Sequence, residues 1–126
     1  MTYLFVYGTL RRHGTTSIRL ALAQDSVFVG VGKFRGRLYD LGRYPGAVAS
    51  AAKNNLVVGE VYRLGTPKTA FAALDAYEGR RFQRKRAVIR LLNGKKITSW
   101  IYLFTGATTG HALIPSGDYV KHLKDP

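Results

Sequence analysis

Thr2-Tyr3-Leu4-Phe5-Val6-Tyr7-Gly8-Thr9-Leu10 is the stretch on which the reading of the fold turns. Its apolar residues run without alternation from Tyr3 to Val6, the pattern of a buried strand over Thr2 to Val6. The run stops at a glycine. A strand that ends in a tight, glycine-containing turn leaves main-chain N–H groups pointing outward, and unpaired N–H groups at a turn suit a carboxylate or an oxyanion. The tetrapeptide Tyr7-Gly8-Thr9-Leu10 gains its meaning from a second segment far downstream, Leu74-Asp75-Ala76-Tyr77-Glu78-Gly79. There a carboxylate stands where a helix should bury apolar side chains.

That helix is predicted over Pro67 to Glu78. Thr66 suits the N-cap, Pro67 the first helical position and Gly79 the left-handed C-terminal cap. At about 100° per residue, Phe71 and Leu74 share one stripe and Glu78 falls between them. Asp75 lies at the edge of that stripe. A glutamate on a buried stripe is costly unless paired, hydrogen-bonded or protonated. In the last turn the helix dipole also disfavours an anion. Both effects raise a carboxyl pKa toward the range useful for proton transfer at neutral pH. The same position also suits a carboxylate paired with one of the arginines that follow, or one reaching solvent from a frayed end.

Glu60 is the other glutamate. In a strand over Leu56 to Leu64 it shares a face with Leu56, Val58, Tyr62 and Leu64. It competes as a functional carboxylate, although a buried structural partner is the preferred reading. Asp118, in Gly117-Asp118-Tyr119, reads as a turn residue that fixes the tail, and Tyr119 beside it offers a hydroxyl to a pocket.

The rest of the chain reads mostly as short strands. Ser26 to Leu41 is extended and punctuated by Gly30, Gly32 and Gly36, which suggests bends or bulges. Gly42-Arg43-Tyr44-Pro45-Gly46 reads as a loop. Phe82 to Leu92 and Lys96 to Phe104 flank Asn93-Gly94, a strong hairpin signal. Thr16 to Ala23 reads as a short helix. The tail from His111 to Leu123 reads as irregular, with a turn at Pro115-Ser116-Gly117. No repeat, linker or low-complexity tract divides the chain, so residues 1–126 are expected to form a single domain.

Composition narrows the chemistry. The chain has no cysteine, which removes disulfides, thiolate catalysis and cysteine-ligated zinc. His13, His111 and His122 lack metal-ligand spacing. No Gly-x-Ser-x-Gly, phosphate loop or dinucleotide fingerprint is present, and Gly30-x-Gly32 is not continued by the rest of that last pattern. No stretch approaches the roughly 20 apolar residues of a membrane helix. Met1-Thr2-Tyr3 has no charged segment before its apolar run, so no secretory leader is expected and a cytoplasmic location fits. Lysine and arginine number 20 against 7 acidic residues, a net charge of +13. Such a field favours polyanions, and Arg80, Arg81, Arg84, Lys85, Arg86 and Arg90 form its densest run. No nucleic-acid module accompanies these cations, so nucleic acid is not expected as the main partner.

Taken in order, Phe5-Val6-Tyr7-Gly8-Thr9-Leu10, Leu41-Gly42-Arg43-Tyr44-Pro45-Gly46-Ala47, Val58-Gly59-Glu60-Val61-Tyr62, Leu74-Asp75-Ala76-Tyr77-Glu78-Gly79 and Ser116-Gly117-Asp118-Tyr119 resemble the gamma-glutamylcyclotransferase-like family, which includes the AIG2-like and gamma-glutamylamine cyclotransferase proteins. The resemblance spans nearly the whole chain. It implies an α+β fold, a small mixed β-barrel flanked by short helices. It implies an amide-cleaving, cyclising acyl transfer that needs no cofactor or metal: the α-amine of a γ-glutamyl group attacks its own γ-carbonyl, and 5-oxoproline and an amine are released. The catalytic residue it implies is Glu78, with substrate held by Tyr7, Gly8, Thr9, Leu10 and Tyr119. The expected partner is a small γ-glutamyl compound, with no membrane. The alternative is a member of the same fold that binds a metabolite or a protein without turnover. Family members often follow the Tyr-Gly-Thr-Leu turn with two basic residues, a glycine and a polar stretch containing Asn. Here Arg11-Arg12-His13-Gly14-Thr15 shifts the glycine by one and lacks the Asn, a departure that bears on substrate identity.

Overall fold

The computed structural model describes residues 1–8, 22 and 24–124. In chain order its elements are β1 (Thr2–Val6), β2 (Ser26–Asp40), β3 (Pro45–Ala49), β4 (Leu56–Leu64), α1 (Pro67–Glu78), β5 (Phe82–Leu91), β6 (Lys96–Phe104), β7 (Ala112–Leu113) and α2 (Tyr119–Lys124). Thr9, Leu10, the stretch Arg11 to Thr15 and nearly all of the helix expected over Thr16 to Ala23 lie outside the described residues.

Five strands close on themselves in the order β2-β4-β1-β6-β5, and β5 returns to pair with β2. Closure removes the exposed edges that an open sheet would carry. Neighbours are antiparallel except β1 and β6, which run parallel, with Leu4 opposite Trp100 and Phe5 opposite Ile101. The sheet is therefore mixed, a small β-barrel flanked by short helices. The long β2 makes this possible. It pairs with β4 along its first part, shifts register at a bulge between Phe28 and Gly30, touches β5 briefly, and then carries β3 and β7 on its far end.

Alternation along the strands separates two apolar clusters. Phe5, Tyr7, Phe34, Val57, Val61, Ile89 and Ile101 fill the barrel interior. Leu4, Val6, Tyr62, Leu64 and Tyr102 point the other way and meet Phe71 and Leu74 of α1. β1 thus has both faces covered, which explains its unbroken apolar run. The helix has the extent its sequence signals predict, with Phe71 and Leu74 as its buried residues and Pro67 in the first turn. Thr66 stands at the N-cap, but its hydroxyl makes no capping bond. The carboxylate of Asp25 accepts the Thr66 N–H instead, at 3.0 Å. At the other end Gly79 adopts φ 73° and donates its N–H to the Asp75 carbonyl.

The Asn93-Gly94 hairpin forms as expected, with Gly94 at φ 88° and the Asn93 side chain accepting the Lys95 N–H at 3.0 Å. Two expectations need correction. The loop read over Gly42 to Gly46 is shorter, because Pro45 and Gly46 already belong to β3 and pair with Asp40 and Tyr39. Proline is tolerated as the first residue of an edge strand, where no ladder donor is required of it. The tail is not irregular. Ala112 and Leu113 add β7 to β2, and Asp118 starts α2 by accepting the Lys121 N–H at 3.2 Å.

Leu74 is 2% exposed and holds α1 to the barrel wall. Leu74→Ala is expected to cost about 2–5 kcal/mol of unfolding free energy, measurable as a lower urea midpoint at unchanged slope.

Candidate functional site

The site is built where β1 runs out. The buried Tyr7 hydroxyl donates to the main-chain carbonyl of Tyr102 on β6. It accepts the Ala47 N–H of β3 at 3.2 Å. These bonds pin the end of β1 between two neighbouring strands. Burial pushes the Tyr7 phenol well above its ordinary pKa, so it remains a neutral donor. Gly8 follows, with the Pro45 ring against it: a Cβ at Gly8 would come within 2.9 Å of the proline Cγ. Pro45 is placed by the short loop before it, which is closed by Leu41 N–H to the Tyr44 carbonyl at 3.0 Å and by Gly42 N–H to Asp40 at 2.8 Å.

A cleft of about 390 Å³ opens at this point. It is lined by Tyr7 and Gly8 after β1, by Arg43, Tyr44 and Pro45, and by Tyr77 and Glu78 from the end of α1. Phe82 and Tyr102 complete the wall. The volume falls in the range of small-molecule sites, and the lining is the mix such sites use, mostly apolar and aromatic with a few polar groups.

Glu78 is the carboxylate in this cleft. It is half-buried, and desolvation raises its pKa from 4.5 to about 7. Among the described residues no hydrogen bond or ion pair reaches its carboxyl group. A second carboxylate, one turn earlier on the helix, is placed differently. Asp75 accepts two hydrogen bonds from the guanidinium of Arg84, at 3.1 and 3.2 Å, and a third from the Tyr102 hydroxyl at 2.6 Å. Desolvation opposes ionisation of Asp75, but the Arg84 and Tyr102 bonds outweigh it and lower its pKa. Arg84 also lies over the rings of Phe71 and Trp100, at 4.0 and 4.9 Å from their centroids. Asp75 and two aromatic faces therefore hold this arginine. Of the readings open for Glu78, pairing with one of the arginines that follow it is not seen among the described residues.

Glu60 is buried on the outer face of β4, opposite Val6 in register. The Tyr62 hydroxyl donates to its Oε1 at 2.9 Å, and Glu60 is not among the residues lining the cleft. Tyr119 is also placed elsewhere. It is buried in the barrel-interior cluster, where desolvation, with a smaller contribution from Asp40, raises its pKa. The structure thus brings Tyr7, Gly8 and Glu78 together, leaves Tyr119 apart, and does not describe Thr9 and Leu10. The sequence reading did not assign Arg43, Tyr44, Tyr77, Phe82 or Tyr102 to the site. Arg43 and Tyr44 stood in a quoted segment but carried no chemical signal of their own. Tyr102 could be placed only by its parity on β6, opposite to Ile101. Among the described residues no cluster of three or more histidine or acidic side chains could hold a metal ion.

Comparison with known proteins gives this arrangement a context. The family model described as gamma-glutamyl cyclotransferase, AIG2-like, matches residues 4–121. The chain is 35% identical over 121 residues to the gamma-glutamylcyclotransferase family protein YtfP of Escherichia coli, covering 96% of this chain and 98% of that one. It is 32% identical over 121 residues to the putative gamma-glutamylcyclotransferase MJ1514 of Methanocaldococcus jannaschii, covering 94% and 96%. Among solved structures it resembles YkqA of Bacillus subtilis, with a TM-score of 0.79 and 26% identity. That match covers 98% of this chain but only 41% of the longer one.

The raised pKa of Glu78 has a stability consequence with a definite sign. From the ordinary carboxyl range up to about pH 7 the folded chain holds the Glu78 proton more tightly than the unfolded chain, so the contribution of this group to stability falls as pH rises through that window. Replacement by glutamine removes the dependence. The urea midpoint of Glu78→Gln is expected to equal or exceed that of the wild type, with the gap widening between pH 5 and pH 8.

Proposed function

The chain belongs to the gamma-glutamyl cyclotransferase, AIG2-like family, and from that premise and the geometry of its cleft we propose that it cyclises a γ-glutamyl substrate to 5-oxoproline with release of an amine. The observation that carries this reading is the placement in one cleft with the Gly8 end of β1 of Glu78, whose carboxyl has a pKa near 7 and makes no hydrogen bond or ion pair among the described residues.

The reaction asks little of a protein beyond order and proton transfer. The nucleophile and the electrophile belong to one molecule, and a five-membered ring forms readily once the chain is folded back on itself. The bond that forms joins the α-nitrogen to the γ-carbonyl carbon, and the bond that breaks is the γ-amide C–N. Ring closure takes two protons from the α-ammonium group, and the departing nitrogen ends with two more than it had. Glu78 carries the proton that must arrive before the C–N bond breaks. A carboxyl with a pKa near 7 is suited to both halves of this task, since it accepts and returns a proton at neutral pH with little penalty either way.

The remaining residues position the substrate. Main-chain N–H groups at the Gly8 turn would hold the α-carboxylate or the developing oxyanion. Thr9 and Leu10 extend that turn in the proposal. Tyr7 acts through the backbone, holding β1 to β6 and β3, while its ring lines the base. Arg43 at the rim contributes a cation, and Tyr44, Phe82 and Tyr102 supply the apolar walls that strip water from the reacting chain.

Glu78→Gln keeps the shape of the side chain but cannot take the amine proton. It is expected to lower the rate of 5-oxoproline release by about 10²–10⁴ and to abolish the rise of kcat/KM with pH through about 7 that the wild type should show. Glu60→Gln is expected to have a smaller effect, and activity lost in the Glu60 variant but kept in the Glu78 variant would reverse the assignment. If the wild type turns over none of a panel of γ-glutamyl amines and γ-glutamyl amino acids, the chain is a binding member of the fold.

Gly8→Val would force a branched side chain against Pro45. It is expected to raise KM for the same substrates about tenfold or more while the circular dichroism spectrum is kept; unchanged KM would move the substrate away from this turn.

A further inference from the structure

The barrel closes where β2 meets β5, and that seam is short. It consists of the pairs Gly32–Leu91, Lys33–Arg90 and Phe34–Ile89. Its central pair sets two cations directly opposite each other. On the far side of β5, Arg90 pairs in turn with Lys96 of β6. Lys33, Arg90 and Lys96 thus form a row across three neighbouring strands, roughly 5 Å apart from strand to strand. All three are exposed on the outer face of the barrel. Like charges directly opposite on adjacent strands destabilise a sheet, and here they occupy the pairing that closes the barrel.

The row is the floor of a second concave surface. A cavity of about 650 Å³ is lined by Lys33, Arg35, Lys53, Arg90 and Lys96, together with the apolar Phe34, Leu56 and Val88. Five cations converge, and among the described residues no acidic side chain lines the cavity. Among the described residues none of the five makes an ion pair. Other basic residues of the chain are already engaged: Arg84 with Asp75, Arg86 over the Trp100 ring, and Arg81 with the Tyr44 hydroxyl and the Phe104 ring.

We propose that this cavity binds a compact polyanion, a polyphosphate chain of three or more charges, which bridges the closing seam of the barrel. The cations come from three strands and the Lys53 loop and surround a volume of ligand size, so a short, densely charged molecule matches them better than an extended strand of nucleic acid. A bound polyanion would cancel the repulsion in the Lys33–Arg90–Lys96 row. The ligand should therefore stabilise the fold as well as occupy the site, since anything that binds only the native state raises stability. The cavity shares no lining residue with the cleft that holds Glu78, so this site is independent of turnover there.

The test is a thermal melt and a calorimetric titration of the full chain with inorganic tripolyphosphate, adenosine triphosphate and orthophosphate at matched ionic strength. Tripolyphosphate is expected to bind at least about tenfold more tightly than orthophosphate and to raise the melting temperature, with both effects weakening as salt is added. Adenosine triphosphate should act similarly, and tighter binding than tripolyphosphate would place its nucleoside on Leu56 and Val88. The double variant Lys33→Gln/Arg90→Gln should melt at or above the wild-type temperature without ligand, because the repulsion is gone, and should lose at least about tenfold in tripolyphosphate affinity. Equal binding of orthophosphate and tripolyphosphate would overturn the proposal. So would wild-type affinity in the folded double variant, or a short RNA that binds more tightly than tripolyphosphate and keeps its affinity in that variant.

Discussion

Strand β1 has no solvent-facing side. Phe5 and Tyr7 point into the barrel, while Leu4 and Val6 point outward under α1. A strand buried on both faces must satisfy its backbone by pairing on both edges, because no water is available to do so. β1 does this with β4 on one side and β6 on the other. The cleft depends on that confinement. The strand cannot shift along its length without moving apolar side chains out of two cores, so the residues that follow it, Tyr7 and Gly8, stand at a fixed point between β3, β6 and the end of α1.

The outer cluster does the same for the helix. Phe71 and Leu74 set the rotation of α1 on the barrel, and Glu78, one turn after Leu74, is carried to the cleft by the helical repeat. The state of its carboxyl depends on what lies near it. In a chain of net charge +13, a free carboxylate would ordinarily attract a cation. Asp75, on the same helix, accepts the guanidinium of Arg84 and the hydroxyl of Tyr102. One carboxyl is held ionised by its partners, and the other is pushed toward neutrality by burial alone. Two groups of the same chemistry are thus set apart by what each of them touches.

The same charge has a different fate on the opposite side of the barrel. Barrel closure makes β2 and β5 neighbours and brings Lys33 against Arg90. No local interaction recommends that pairing. It is accepted because the interior gains more from Phe34 and Ile89, both nearly fully buried at the same seam, than the exposed cations lose. Water screens charges at a surface, whereas a displaced apolar side chain costs in full. The seam therefore carries an electrostatic cost that a bound anion can relieve.

Much of this protein was determined by its sequence alone. The apolar run at Tyr3 to Val6, the cap signals at Pro67 and Gly79 and the Asn93-Gly94 turn each act over a few residues, so local physics suffices to read them. The helical period was enough to bring Glu78 into view, because a carboxylate on an apolar stripe is visible in a single turn. The tertiary structure decided what depends on contacts between distant segments. β3 and β7 are too short to show a period and exist only because β2 offers them an edge. Tyr119 looked available as a pocket hydroxyl, and its packing within the inner apolar cluster could not be read from the tail alone. Asp75 at the edge of the stripe gave no sign that it would take Arg84 and Tyr102. Arginines and lysines far apart in the chain become a single basic cavity only when β2 closes on β5. Spacing along a chain reports which face a side chain is on, but what it meets across that face is set by strand register and barrel closure, which no short segment contains.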